Sequence, residues 1–129
     1  MERLKISFVI NASPKQVYRD WLSSRGHSDF TGAEAKITAK PDSKFTAWDG
    51  YIWGKNIELI KDNYIKQSWR TSDFDENWPD SILEVKLKLL GQKTVVEIIH
   101  SNLQKGDAKK YTDGWNDYYK EPMQAFYGI

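Results

Sequence analysis

The sequence predicts an α+β fold in which a curved antiparallel sheet of about seven strands wraps around a long C-terminal helix. Three observations predict it. Short runs of alternating apolar and polar residues recur between Leu4 and Ser101, separated by turn residues. One early helix start, Ser13-Pro14, interrupts them. After Ser101 the apolar spacing changes to that of a helix. Strands joined by short turns pair antiparallel, and their single apolar face needs a cover.

Taken in order, Leu4, Ile6, Phe8 and Ile10 alternate with Lys5, Ser7 and Val9, which makes a strand. Ser13 is the expected N-cap of a helix, with Pro14 at its first position. Val17, Tyr18, Trp21 and Leu22 form its apolar face, and Gly26 offers a stop. His27 to Gly32 reads as a short second helical turn and a connector. Ala35 to Ala39 reads as a strand, and Pro41-Asp42-Ser43 as a turn. Lys44 to Leu59 reads as two strands joined by Asp49-Gly50. That pair suits a two-residue type I′ turn, which needs positive φ at both positions. Phe45, Trp48, Tyr51 and Trp53 load the arms, and the second arm runs to Ile60. Gly54 and Asn56 interrupt it and predict a bulge that helps the sheet curve.

Lys61-Asp62-Asn63 is the next turn. Tyr64 to Thr71 then places Ile65, Gln67, Trp69 and Thr71 on one face, with Arg70 outside to pair with a surface carboxylate. Ser72 to Asp80 is acidic, contains Pro79, and reads as a solvated loop. Ile82 to Leu90 is the clearest strand, with Leu83, Val85, Leu87 and Leu89 facing one way. Gly91-Gln92 is a Gly-X hairpin turn. Thr94 to Ser101 returns with Val96, Ile98 and His100 pointing inward. Asp107 caps the last helix, along which Tyr111, Trp115, Tyr118, Tyr119, Met123 and Phe126 recur at helical spacing. Pro122 is expected to kink that helix or end its regular part.

The 129 residues are expected to form a single domain, 1–129, with room for a substantial core. A net charge of +1 gives no electrostatic case for nucleic acid or an anionic membrane. Without cysteine there is no disulfide or thiolate chemistry, which suits a reducing cytoplasm. The N-terminus is too charged for a signal peptide, and no apolar run reaches the ~20 residues of a membrane helix. Two histidines and no ligand-spacing motif argue against a metal, although Asp29 and Glu34 lie near His27. No nucleophile elbow, phosphate loop or dinucleotide fingerprint occurs, so no cofactor is expected. The aromatic content, 14%, suits either a heavily packed core or a cavity walled by rings.

The element order resembles the helix-grip fold of the START-like (SRPBCC) superfamily. More narrowly, the residues are similar to the family related to the C-terminal domain of the activator of the 90-kDa heat-shock protein ATPase (AHSA). The matching runs are Ala12-Ser13-Pro14 with Val17-Tyr18 and Trp21; Phe30-Thr31-Gly32 with Ala35; and Phe45, Asp49-Gly50, Gly54, Asn56 and Glu58-Leu59. They continue with Ile65, Gln67 and Trp69-Arg70, then His100, and finally Gly114-Trp115, Tyr118-Tyr119 and Pro122-Met123. The resemblance covers nearly the whole chain. It implies a seven-stranded sheet around the last helix and a cavity between them that holds an apolar or amphipathic molecule. In the chaperone activators this domain is a second module; here no module is expected to precede it.

Three function classes follow. The first is a non-enzymatic domain that binds an apolar small molecule. Its cavity is expected to be walled by Trp53, Trp69, Leu87, Ile98, Trp115, Tyr119 and Met123, with Gln67, His100 and Tyr118 as polar groups. His100 needs a partner, for which Gln67, Tyr118 and Tyr119 are candidates. The second is an interaction module, monomer or homodimer, that contacts a chaperone through exposed surface such as Asp73 to Asp80. The third is a cyclase-like or hydrolase-like enzyme using His100, for which no acid–base pair is visible.

Overall fold

The alternating runs become strands because each puts its apolar residues on one face. In the strand Ser81–Leu90, for example, Ser81, Leu83, Val85 and Leu87 are buried while Glu84, Lys86 and Lys88 face out. The computed structural model describes residues 1–128. It contains strand β1 (Glu2–Ile10), helices α1 (Pro14–Trp21) and α2 (Ser24–Thr31), and strands β2 (Lys44–Ala47), β3 (Ile52–Ile60), β4 (Tyr64–Thr71), β5 (Ser81–Leu90) and β6 (Lys93–Leu103). The chain then stays helical through α3 (Asp107–Trp115), a π turn (Asn116–Lys120) and α4 (Glu121–Tyr127). The fold is α+β, with an antiparallel sheet in the order β1-β6-β5-β4-β3-β2 and the final helix against its apolar face.

Among the described residues six strands form, not seven. The segment expected as a strand, Ala35 to Ala39, makes a single bridge, Lys36 to Thr46, through two backbone hydrogen bonds of 2.9 Å. Asn56 holds the chain beyond it: its Nδ2 donates to the carbonyls of Thr38 and Lys40 at 2.9 and 3.0 Å.

Two helices follow β1. Ser13 caps α1, accepting from the Gln16 N–H at 3.2 Å, and Ser23 caps α2, accepting from the Gly26 N–H at 2.8 Å. Gly26 is therefore inside a helix rather than ending one, and the left-handed stop is Gly32, φ 82°. A Cβ at Gly26 would lie 2.5 Å from the Asp20 Cα, so the glycine lets the two helices touch.

The β2–β3 connection is longer than a two-residue turn. Ala47 pairs with Ile52, and Trp48, Asp49 and Gly50 all have positive φ (52°, 58° and 90°). Asp49 and Gly50 do take the left-handed conformation, but Trp48 joins them and leaves the strand. The Asp49 carboxylate pins the turn by accepting from the Glu34 N–H at 2.9 Å.

The bulge in β3 lies between Asn56 and Glu58, not at Gly54. Gly54 serves a close approach instead, since a Cβ there would strike the Ser68 backbone. Before the bulge, Ile52 and Asn56 face the core and Trp53 faces out; after it, Leu59 turns in. The final helix also differs from expectation. Pro122 has no N–H for the Tyr118 carbonyl, yet the helix continues. The Glu121 N–H bonds five residues back to the Asn116 carbonyl, and the wider π turn makes room for the proline ring.

Candidate functional site

A groove of about 450 Å³ lies between the final helix and the β2–β4 end of the sheet. The helix supplies Lys110, Tyr111, Gly114, Trp115, Tyr118 and Tyr119. Residues 111, 115 and 118 or 119 recur one turn apart, so they share a face. The sheet contributes Ile52 and Trp69, and the left-handed turn after β2 contributes Trp48 and Tyr51. Ring centroids are 4.7 Å apart for Trp115 and Tyr119, 5.6 Å for Trp69 and Trp115, and 5.4 Å for Trp48 and Tyr118.

Beneath the groove, the buried polar groups are committed to one another. Trp115 donates its indole N–H to Nδ1 of His100 at 3.1 Å. That fixes the tautomer, so His100 Nε2–H donates to the Ser81 hydroxyl at 2.8 Å, which in turn donates to the Trp69 carbonyl at 2.6 Å. Burial holds the His100 imidazole neutral, down to about 3. His27 is used the same way. Its Nδ1–H donates to the Trp21 carbonyl at 2.8 Å, and its Nε2 accepts from the Tyr119 hydroxyl at 2.8 Å. Burial lowers this imidazole to about 4, against the opposing pull of the Trp21 carbonyl. Burial likewise pushes the Tyr119 phenol up. Neither histidine has a free nitrogen to act as an acid or base.

The rim is tied across by one carboxylate. Asp73 accepts from the Tyr51 hydroxyl at 2.5 Å and from Lys110 Nζ at 2.9 Å. Those two bonds hold its carboxyl below the usual range. Burial, and then the bond to Asp73, push the Tyr51 phenol up to about 12. Tyr111 and Thr71 share a hydrogen bond of 2.8 Å below it.

Two features of the walls are unsatisfied. The Trp48 indole N–H is buried without a hydrogen-bond partner; it comes near enough to the Tyr119 hydroxyl to favour the phenolate slightly, but not in bonding geometry. Gly114 sits inside α3, and a Cβ there would meet nothing within 4 Å. A helical glycine costs roughly 0.5–1 kcal/mol relative to alanine, and no packing contact here requires it.

Of the ten residues expected from the sequence, Trp69, Trp115, Tyr118 and Tyr119 line the groove. Leu87, Ile98 and Met123 are buried in the core outside its lining. Gln67 is also buried, but it donates to the Asn56 side chain at 2.9 Å and is not a partner of His100. Trp53 is a correction: it is 39% exposed on the outer face, because the bulge comes three residues after it. Ser81 is the partner of His100 that sequence reasoning missed, since it opens its strand after a loop. Trp48, Tyr51, Ile52, Lys110, Tyr111 and Gly114 were missed as wall residues. For the helical ones the signal was present, one turn before Trp115.

The acidic stretch after β4 is a solvated loop, as expected, but two aromatic side chains pin it to the body of the fold. Phe74 is buried against Trp69 and Tyr111, with centroids 6.1 and 5.9 Å away, and Trp78 donates its indole N–H to the Asn102 carbonyl at 3.0 Å. Arg70 pairs with Asp80 at 2.7 Å, as its outward position predicts, and also donates to the carbonyls of Trp78 and Asp75.

Residues 11–127 match the family model described as Activator of Hsp90 ATPase homolog 1-like protein. The chain belongs to this family. A mouse relative, the activator of 90 kDa heat shock protein ATPase homolog 1, is 24% identical over 128 residues, covering 97% of this chain and 36% of the relative. The chain thus spans about a third of the length of the curated relatives it matches. Among solved structures, an HSP90 activator from Plasmodium falciparum superposes with a TM-score of 0.87 at 18% identity, covering 99% of this chain and 97% of that one. The Aha1 dimer from Colwellia psychrerythraea superposes with a TM-score of 0.82 at 17% identity, covering 98% and 97%. At those identities the two structures speak for the fold. Within this AHSA1-like fold, the aromatic groove is a concave surface walled mainly by apolar side chains. Among the described residues no group of three or more metal-ligating side chains occurs, and no helix is long and apolar enough to cross a membrane.

Proposed function

We propose that this AHSA1-like domain binds an apolar or amphipathic small molecule in the groove between the final helix and the sheet. One observation carries the reading: about 450 Å³ of space is walled almost wholly by aromatic and aliphatic side chains, while the polar groups beneath are satisfied internally. Such a surface gains free energy by excluding water, and the two histidines beneath it have both ring nitrogens committed. The reading takes residues 1–129 as one domain and, from the lack of cysteine, places it in the cytoplasm. Native mass spectrometry of freshly purified protein tests it, together with uptake of an anilinonaphthalene dye. Bound mass or dye fluorescence is expected, and Ile52→Trp, which fills the groove from β3, is expected to abolish uptake while circular dichroism is unchanged. Equal dye uptake by wild type and Ile52→Trp would refute the assignment to this groove.

A second reading is favoured by the family: contact with a 90-kDa heat-shock chaperone, the partner named for the mouse and Plasmodium proteins. It uses exposed surface, including Asp75 and Glu76 on the pinned loop, and is indifferent to Ile52→Trp. No retention on the immobilised chaperone at micromolar concentration removes it. The native spectrum also distinguishes monomer from homodimer.

A further inference from the structure

Resting on the groove reading, we infer the chemical class of the ligand: a flat aromatic molecule bearing one hydrogen-bond acceptor. It lies edge-on to the bare helix backbone at Gly114, and its acceptor takes the N–H of Trp48. Three observations lead there. First, seven of the ten wall residues are aromatic, so most of the surface offered to a ligand is ring. Rings stack on rings with little loss of side-chain freedom. Second, Gly114 is helical and has no packing neighbour where its Cβ would be. Its one structural effect is to leave a strip of backbone uncovered in the groove wall, where a ring edge rests closer than any side chain would permit.

Third, the wall polar groups at Tyr51, Lys110, Tyr111, Trp115 and Tyr119 already have partners. Trp48 does not: its N–H is the buried side-chain polar atom left unpaired among the described residues. Its backbone is left-handed at φ 52°, a conformation bulky residues rarely take, and it opens a run of three such residues. An unpaired donor on a strained turn is the wall element that gains most by moving. Turning the indole toward the groove brings its N–H to an acceptor on the ligand.

A matched pair of probes tests this. Fluorenone and fluorene are equally flat and differ in a carbonyl against a methylene. Binding is read by tryptophan fluorescence and by the six indole N–H resonances of a ¹⁵N spectrum, with Trp48 assigned by its loss in Trp48→Phe. Fluorenone is expected to bind about tenfold tighter than fluorene, the equivalent of ~1.4 kcal/mol, and to shift the Trp48 indole resonance. Trp48→Phe should bring the two affinities together. Gly114→Leu should weaken both by tenfold or more, with its helical circular dichroism intact. Equal wild-type affinities would overturn the acceptor, and unchanged affinities in Gly114→Leu would overturn the slot. If neither probe binds or displaces the anilinonaphthalene dye while the dye itself binds, the flat ligand is wrong and the groove reading stands. If the dye also fails, both fall.

Discussion

The fold should weaken in mild acid, because it buries both of its histidines as neutral rings. His27 is held down to about 4 and His100 to about 3, by burial in each case, whereas in the unfolded chain each titrates near ~6.5. Below pH 6.5 the unfolded chain therefore binds protons that the folded chain refuses, so stability falls as pH falls through that window. It is fully present above pH 6.5. Each pH unit within the window is worth ~1.4 kcal/mol per histidine. From pH 6.5 to 5 that is about 2 kcal/mol for each ring and about 4 for the pair, a large part of the ~5–15 kcal/mol by which domains are stable. The carboxylates held low, Glu2 and Asp73, titrate below this range and do not contribute to it. Urea unfolding followed by tryptophan fluorescence at pH 7, 6 and 5 measures the effect. With a slope of roughly 2 kcal/mol per molar urea, the midpoint should fall by about 2 M. His27→Gln and His100→Gln should each remove about half of that fall. A wild-type midpoint that is flat between pH 7 and 5, or variants with the full dependence, would refute the buried neutral imidazoles.

Three glycines should respond differently to alanine. Gly114→Ala is expected to stabilise the chain by up to ~1 kcal/mol, since its Cβ enters open space. Gly26→Ala and Gly54→Ala should each destabilise it by about 3 kcal/mol or more, because the Cβ meets backbone. Thermal melts decide, and three shifts of the same sign would contradict the assigned geometry. Arg70→Ala removes the bonds to Asp75, Trp78 and Asp80 and should cost about 1–3 kcal/mol while opening residues 72–80 to limited proteolysis. Continued resistance of that loop would show that Phe74 and Trp78 suffice to pin it. Asp73→Asn should change stability by less than ~1 kcal/mol, its pair with Lys110 being half-exposed. It should, however, bring the Tyr51 phenol part of the way back from about 12, seen by ultraviolet pH titration. A Tyr51 titration that does not move would remove Asp73 from the rim.

Much of the fold was legible because its signals are local. Alternation in β5 and β6, the Ser13-Pro14 cap and the aromatic spacing of the last helix each reflect one element's own geometry. The lining of the groove was legible where it rides on that helix: Trp115, Tyr118 and Tyr119 needed only helical spacing to share a face, and Trp69 needed only strand alternation. The rest failed at places where one residue changes the count. A bulge after Asn56 put Trp53 outside, and a third left-handed residue took Trp48 out of its strand and into the groove wall.

By itself, then, the sequence determined the α+β class, the order of the helices and of the six strands that form, most of the inward faces of β4, β5 and β6 and the uncommitted charge balance, because those follow from periodicity and composition. Only the tertiary structure decided who partners whom. His100 meets Ser81 and Trp115 rather than Gln67, His27 meets Tyr119 across 92 positions, and Asp73 joins Tyr51 to Lys110. A hydrogen bond is directional and short, so its partner is set by where whole elements come to rest, and no local pattern along the chain records that.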